Sequence, residues 1–271
     1  MRGFVSTAIT SGESPRWGTT HAWLRRYGSA ISARTLVPPS VRLTIGLFAL
    51  QILLFEILRL CLYVRNRDLA ESAGIAEIAR AFLVGLWFDS AMAAYTTIPL
   101  LIVAKVAGLI GGPNTERRVY LSGSALFGMC FVLLGLGELE YYREFFTRYN
   151  MLAIQYWSQP TTVASMIWHG FPVVRYLLFG TFLSGAYVLA IRRLAKWYQP
   201  NGNGVSRSSH IVGLVTTVLG LTFLGVVARG GMRHIPLQWA DASHSDSTFA
   251  NQLAQNGFWS LGRALANSGR H

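Results

Sequence analysis

The chain has 271 residues, 52% of them apolar and only 13% charged. An ordinary soluble domain carries about 25% charged residues, so lipid rather than water is the expected main solvent. The formal net charge of +12 would suit nucleic acid, but the arginines gather between apolar runs and no DNA- or RNA-binding motif accompanies them, which sets nucleic acid aside as a partner.

Residues 1–42 are polar, rich in Ser, Thr and Arg, and hold one acid, Glu13. The composition is close to that of an organelle transit peptide; a disordered basic cytoplasmic tail is the preferred reading. Pro38-Pro39 closes it. Five apolar stretches follow, at 43–63, 81–103, 119–137, 173–191 and 210–228. Each is near the ~20 residues that carry a helix across ~30 Å of hydrocarbon. The expected fold is an all-α membrane protein with five transmembrane helices over 43–228 and interfacial helices on the outer face. Gly111-Gly112-Pro113-Asn114 and the run from Gln199 to Gly204 read as turns, and Pro99 as a kink inside the second span. Cys61 and Cys130 fall within apolar runs and form neither a disulfide framework nor a zinc spacing.

The loops give a direction. Arg42 and the tail arginines, then Lys105, Arg117 and Arg118, then Arg192, Arg193 and Lys196 mark alternate loops as basic. The other loops mix signs: Arg65, Arg67 and Arg80 with Asp68, Glu71 and Glu77, then Arg143, Arg148 and Arg175 with Glu138, Glu140 and Glu144. Basic loops stay on the cytoplasmic side, so the expectation is a multi-pass protein of the cytoplasmic (inner) membrane, N-terminus inside and C-terminus outside. Residues 138–150 should continue the third helix into the interface, with Glu140–Arg143 and Glu144–Arg148 at helical neighbour spacings and an aromatic belt between them. Residues 161–171 read as a short interfacial helix.

Three charges fall within apolar spans: Glu56 and Arg59 on one face of the first, and Asp89 in the second. Such groups are costly in hydrocarbon unless paired or hydrated. At a rise of about 1.5 Å per residue all three lie in the outer half of the bilayer and can meet. Two readings stand: an ion pair that fixes helix packing, or a polar notch that holds a lipid headgroup or a partner's loop. A proton or ion path is weaker, because the later spans offer almost no acid or base to continue it.

After the last span, residues 229–271 form an extracytoplasmic linker with an amphipathic helix. His234, Asp241, His244 and Asp246 fit no known zinc spacing. Asp246 or Ser245 is the expected cap of a helix whose apolar side carries Phe249, Leu253, Phe258, Leu261 and Leu265. That side should rest on the membrane surface or on a further domain, with Gly257 a point where the helix can break.

The order Arg229-Gly230-Gly231, Pro236-Leu237, Asn251-Gln252-Leu253-Ala254 and Asn256, with Trp87-Phe88-Asp89 and Glu140-Tyr141-Tyr142 upstream, resembles the membrane domain of the lipoteichoic acid synthase-like family. The resemblance covers about residues 43–266. It implies membrane-anchored phosphoglycerol transferases of the sulfatase/alkaline-phosphatase fold. Their outer catalytic domain uses a Thr nucleophile and a divalent metal such as Mn or Mg on lipids such as phosphatidylglycerol. The matching stretch ends near His271, where that domain would begin, so no catalytic residue is assigned, no cofactor is expected in this chain, and a separate sulfatase-fold domain is an expected partner. A small transporter or permease subunit and a scaffold for envelope assembly are the alternatives; the transporter is weaker for want of an internal repeat.

Overall fold

A computed structural model describes residues 39–70, 73–156, 158–197 and 207–268. The expected tail through residue 38, Glu71 and the turn from Gln199 to Gly204 lie outside them. The described residues are helical, with no strand among them. Helix α1 spans Pro39–Arg65. Its start, four residues ahead of the apolar run, suits a proline, which has no N–H to leave unpaired in a first turn. A 3₁₀ turn, Arg67–Ala70, leads to α2, Ile75–Phe145, which is 71 residues long.

Helix α2 is two arms joined at one residue. Gly112 has φ 79° and ψ −179°, a conformation that a Cβ would make strained. The arms, 75–111 and 113–145, fold back on each other there. Lys105 Nζ donates to Glu116 Oε1 across the hairpin at 2.7 Å, and Leu100 packs over Gly123. Backbone at Pro99 stays helical. Short helices α3 (Met151–Tyr156) and α4 (Pro160–Gly170) precede α5, Val173–Leu194, and α6, Arg207–Arg229. Beyond a 3₁₀ turn, Trp239–Ala242, come α7 (Thr248–Ala254) and α8 (Gly257–Ser268).

Three helices, Ser40–Arg65, Ile75–Phe145 and Val173–Leu194, are long and apolar enough to cross a membrane, and Gly213–Arg229 is a shorter apolar helix. Their outward faces carry exposed Leu53, Leu83, Leu126, Leu178, Phe182 and Phe223. Large apolar side chains turned outward along whole helices suit lipid as the surrounding medium.

One end of the bundle gathers Ser40, Leu43, Ala104, Arg117 and Tyr120, and Arg117 donates to the Ala195 carbonyl. At the opposite end Arg65 meets Glu140, Tyr176 meets Glu140, and Trp87 Nε1 donates to the Gly230 carbonyl at 3.1 Å. Successive apolar segments therefore run antiparallel. The first end is basic, with Lys105, Arg117, Arg118, Arg192, Arg193 and Lys196; the second mixes acids and bases.

Segment 229–268 shares one compact unit with the helices. Gly231 N–H bonds to Val226 O at 2.8 Å and Gly230 N–H to Val227 O at 2.9 Å, with both glycines at positive φ. This closes α6 with a glycine cap that satisfies two of its terminal carbonyls. The chain then turns back, and Leu237 N–H reaches Arg229 O at 3.0 Å. Phe249, Leu253, Phe258 and Leu261 are buried, against the chain's own α1 and α2 rather than on a membrane surface or a further domain. Phe258 stands 4.8 Å from Phe131 and 5.6 Å from Phe55, ring centre to ring centre, and Trp259 meets Phe88 edge-on at 5.0 Å.

Candidate functional site: a double arginine clamp and an aromatic cleft

Arg59 and Asp89 come together as their depths require. Arg59 Nη2 lies 2.5 Å from Asp89 Oδ1, and Glu56 is 3.5 Å from Arg59 Nε. The first two are almost wholly buried, whereas Glu56 keeps some exposure. They form no open notch, because the chain's own C-terminal segment lies over them. Arg59 Nη1 donates to the carbonyls of Leu253 at 2.5 Å and Gln255 at 3.1 Å. Asn256 Nδ2 donates to Asp89 Oδ1 at 2.8 Å.

A second arginine mirrors the first. Arg148 pairs with Glu138 at 2.9 Å, both buried. Its remaining donors reach Gln252 O at 3.0 Å, Leu253 O at 3.4 Å and Gln255 O at 2.6 Å. The last carbonyls of α7, which have no partner inside a helix, are thus received by two guanidinium groups. Positive charge at a helix C-terminus is also favoured by the helix dipole. Only arginine offers several coplanar donors able to serve a carboxylate and carbonyls at once.

Asn256 joins the clamp to the next helix. Its Oδ1 accepts from Phe258 N at 2.9 Å and Trp259 N at 3.0 Å, which caps α8, while its Nδ2 faces Asp89. Gly257 follows because a Cβ there would overlap the Glu138 carboxylate. Asn251 orders the preceding loop: its Oδ1 accepts from His244 N and Ser245 N, and its Nδ2 donates to Ser245 O. The cap of α7 is Ser247, whose Oγ accepts from Ala250 N at 3.3 Å, and not the expected Asp246 or Ser245. The break between α7 and α8 falls at Gln255-Asn256, beside the expected Gly257.

Two expected pairs do not form. Glu140 takes a bidentate bond from Arg65, at 2.9 and 3.0 Å, and accepts from Tyr176. Arg143 instead lies 3.7 Å from Asp68. Glu144 does not meet Arg148, because α2 ends at Phe145 and Phe146 takes a left-handed conformation, φ 53°. That turn carries Arg148 back to Glu138. The aromatic run is correspondingly divided: Tyr142 is buried in the core, whereas Tyr141 and Phe145 face a cleft.

This cleft, about 670 Å³, lies between the end of α2, α3, α4 and the start of α5. Leu133, Leu136, Val163, Met166, Ile167 and Leu177 give it an apolar wall; Tyr141, Phe145, Tyr149, Tyr156 and Tyr176 give it an aromatic one, and Glu140 and Glu144 stand in its lining. Tyr149 Oη donates to Leu134 O at 2.8 Å, and burial pushes its phenol far above the ordinary value. No Lys, Arg or His is among the described residues that line the cleft.

Two of the four polar loop residues, Asp241 and His244, have protein partners. Asp241 pairs with Arg233 at 2.8 Å and accepts from Gln238 N, while His244 Nδ1 meets Ala242 O and Nε2 meets Glu77 O. Among the described residues no three His, Cys, Asp or Glu side chains converge to hold a metal ion. Comparison with protein-family models, curated proteins and solved structures gives no match.

Proposed function

We propose that this chain is the membrane module of a lipoteichoic acid synthase-like phosphoglycerol transferase. It crosses the cytoplasmic membrane five times, counting both arms of α2 and helix α6, each with enough residues for ~30 Å of hydrocarbon. The basic end of the bundle faces the cytoplasm and the mixed-charge end faces outward. Helix α4, with exposed Met166, Ile167 and Trp168, lies in the outer interface.

The observation that carries this reading is the clamped C-terminal segment. A flexible linker would need no buried ionic clamp. Arg59 and Arg148 fix 252–256 to the outer end of the bundle, which sets the position and direction in which a sulfatase-fold catalytic domain, on the same polypeptide or a partner, is offered to lipids such as phosphatidylglycerol. Divalent-metal chemistry belongs to that domain. Glu56, Arg59 and Asp89 then act in packing and docking, with no direct headgroup contact by the buried Arg59 and Asp89.

Depletion of the native gene product should remove Mn²⁺-dependent transfer of labelled glycerol phosphate from phosphatidylglycerol in isolated membranes, and a reporter placed after residue 268 should read as external. Unchanged transfer, a cytoplasmic reporter signal, or solute flux through the purified chain in proteoliposomes would refute the assignment.

A further inference from the structure

We infer that the cleft between α2, α3, α4 and α5 binds a single-chain amphiphile with an ammonium headgroup. This does not depend on the transferase reading, and its test reads lipid binding alone.

Three observations select the ligand. The volume of about 670 Å³ falls in the range of sites for one drug-sized molecule, enough for one acyl chain with a small head. The apolar wall from Leu133, Val163, Met166 and Ile167 offers such a chain apolar packing contacts. The head end is lined by Tyr141, Phe145, Tyr149 and Tyr156, whose neighbouring rings stand 4.7 to 5.8 Å apart. Faces of aromatic rings attract ammonium groups, and several rings together form the usual cage for them.

Charge decides between head classes. Glu140 is neutralised by its bidentate bond to Arg65. Glu144 is exposed, lines the cleft and makes no ion pair among the described residues. Of the nearby arginines, Arg148 is held by Glu138, Arg143 lies 3.7 Å from Asp68, and the exposed Arg175 at the start of α5 is not among the lining residues. A head bearing only negative charge would meet Glu144 and π faces with no lining cation to receive it. A protonated amine meets both favourably.

The test uses the full chain in a neutral maltoside detergent, titrated in native mass spectrometry with lysophosphatidylethanolamine and lysophosphatidylglycerol. Both carry one chain and one phosphate, and they differ in the end of the head, an ammonium in one and a glycerol diol in the other. The ethanolamine lipid should bind about three- to fivefold more tightly, a size suited to a partly exposed charge contact with cation–π support. Glu144→Gln should reduce that preference to its cation–π part at unchanged thermal stability, and Val163→Trp, which fills the cleft, should remove binding of both. Glycerophosphoethanolamine, the same head without a chain, should not bind measurably. Equal affinities, a preference for the glycerol lipid, a preference undiminished by Glu144→Gln, or equal binding of the chain-free head would each overturn the inference.

Discussion

Asn256→Asp changes one atom and almost no volume, yet it should strike the clamp at its most sensitive contact. The new side chain keeps an oxygen to cap α8, so Phe258 N and Trp259 N remain satisfied. What it loses is the donor 2.8 Å from Asp89 Oδ1, and in its place comes a second carboxylate. At an effective dielectric of about 20, unit charges that close repel by roughly 6 kcal/mol. Arg59, 2.5 Å from Asp89 on its other side, offsets part of this. The remainder should approach the cost of an uncompensated buried charge, about 3–5 kcal/mol.

Thermal unfolding in detergent micelles, followed by tryptophan fluorescence, reads the effect. At about pH 8 the midpoint should fall by roughly 6–20 °C, taking 2–4 °C per kcal/mol for a chain of this size. The pH dependence has a definite sign. Repulsion makes the new carboxyl harder to ionise in the folded chain than in the unfolded one, so the penalty grows as pH rises and fades as protonation restores a neutral donor. The deficit should shrink clearly by about pH 5. Asn256→Ala, which loses cap and donor but adds no charge, should cost a pH-independent amount. A wild-type midpoint at about pH 8 for Asn256→Asp, or a deficit that ignores pH, would refute the contact.

Arg148→Ala strands the Glu138 carboxylate and the α7 carbonyls together, and should destabilise by about 3–5 kcal/mol; limited proteolysis should then release the C-terminal segment faster. Arg148→Lys should recover less than half of that loss, since an ammonium cannot serve a carboxylate and several carbonyls in fixed directions. Protection equal to wild type in the alanine variant would exclude the clamp. Gly112→Ala should cost about 1–3 kcal/mol through its φ of 79°, measured by the same thermal unfolding. Gly220→Ala, where a Cβ meets nothing within 4 Å, should be neutral or slightly stabilising.

The outline of the fold was legible because it depends on local and additive quantities. Apolar length, the Gly112 break and the basic bias of alternate loops are each readable from a short window. The Glu56, Arg59 and Asp89 set was legible for a related reason: charges in hydrocarbon must find partners, and helical rise gives their depth. Arg148 stood in plain view yet was assigned to Glu144, and Glu138 to no partner, because the spacing rule for helix neighbours holds only while the helix continues. Phe146 in a left-handed conformation ends it. The cleft left no local signal, since its walls come from four separate helices.

The sequence by itself determined that the chain folds into apolar helices suited to lipid and which charges needed partners. Tertiary structure alone decided what those charges hold. Arg59 reaches across 194 residues to Leu253, and Asn256 returns across 167 to Asp89. No periodicity encodes contacts at such separations. They follow from a glycine turn after α6 that sends the chain back over the bundle, where apolar Phe258 and Trp259 and the carbonyls of α7 find aromatic and guanidinium partners already in place.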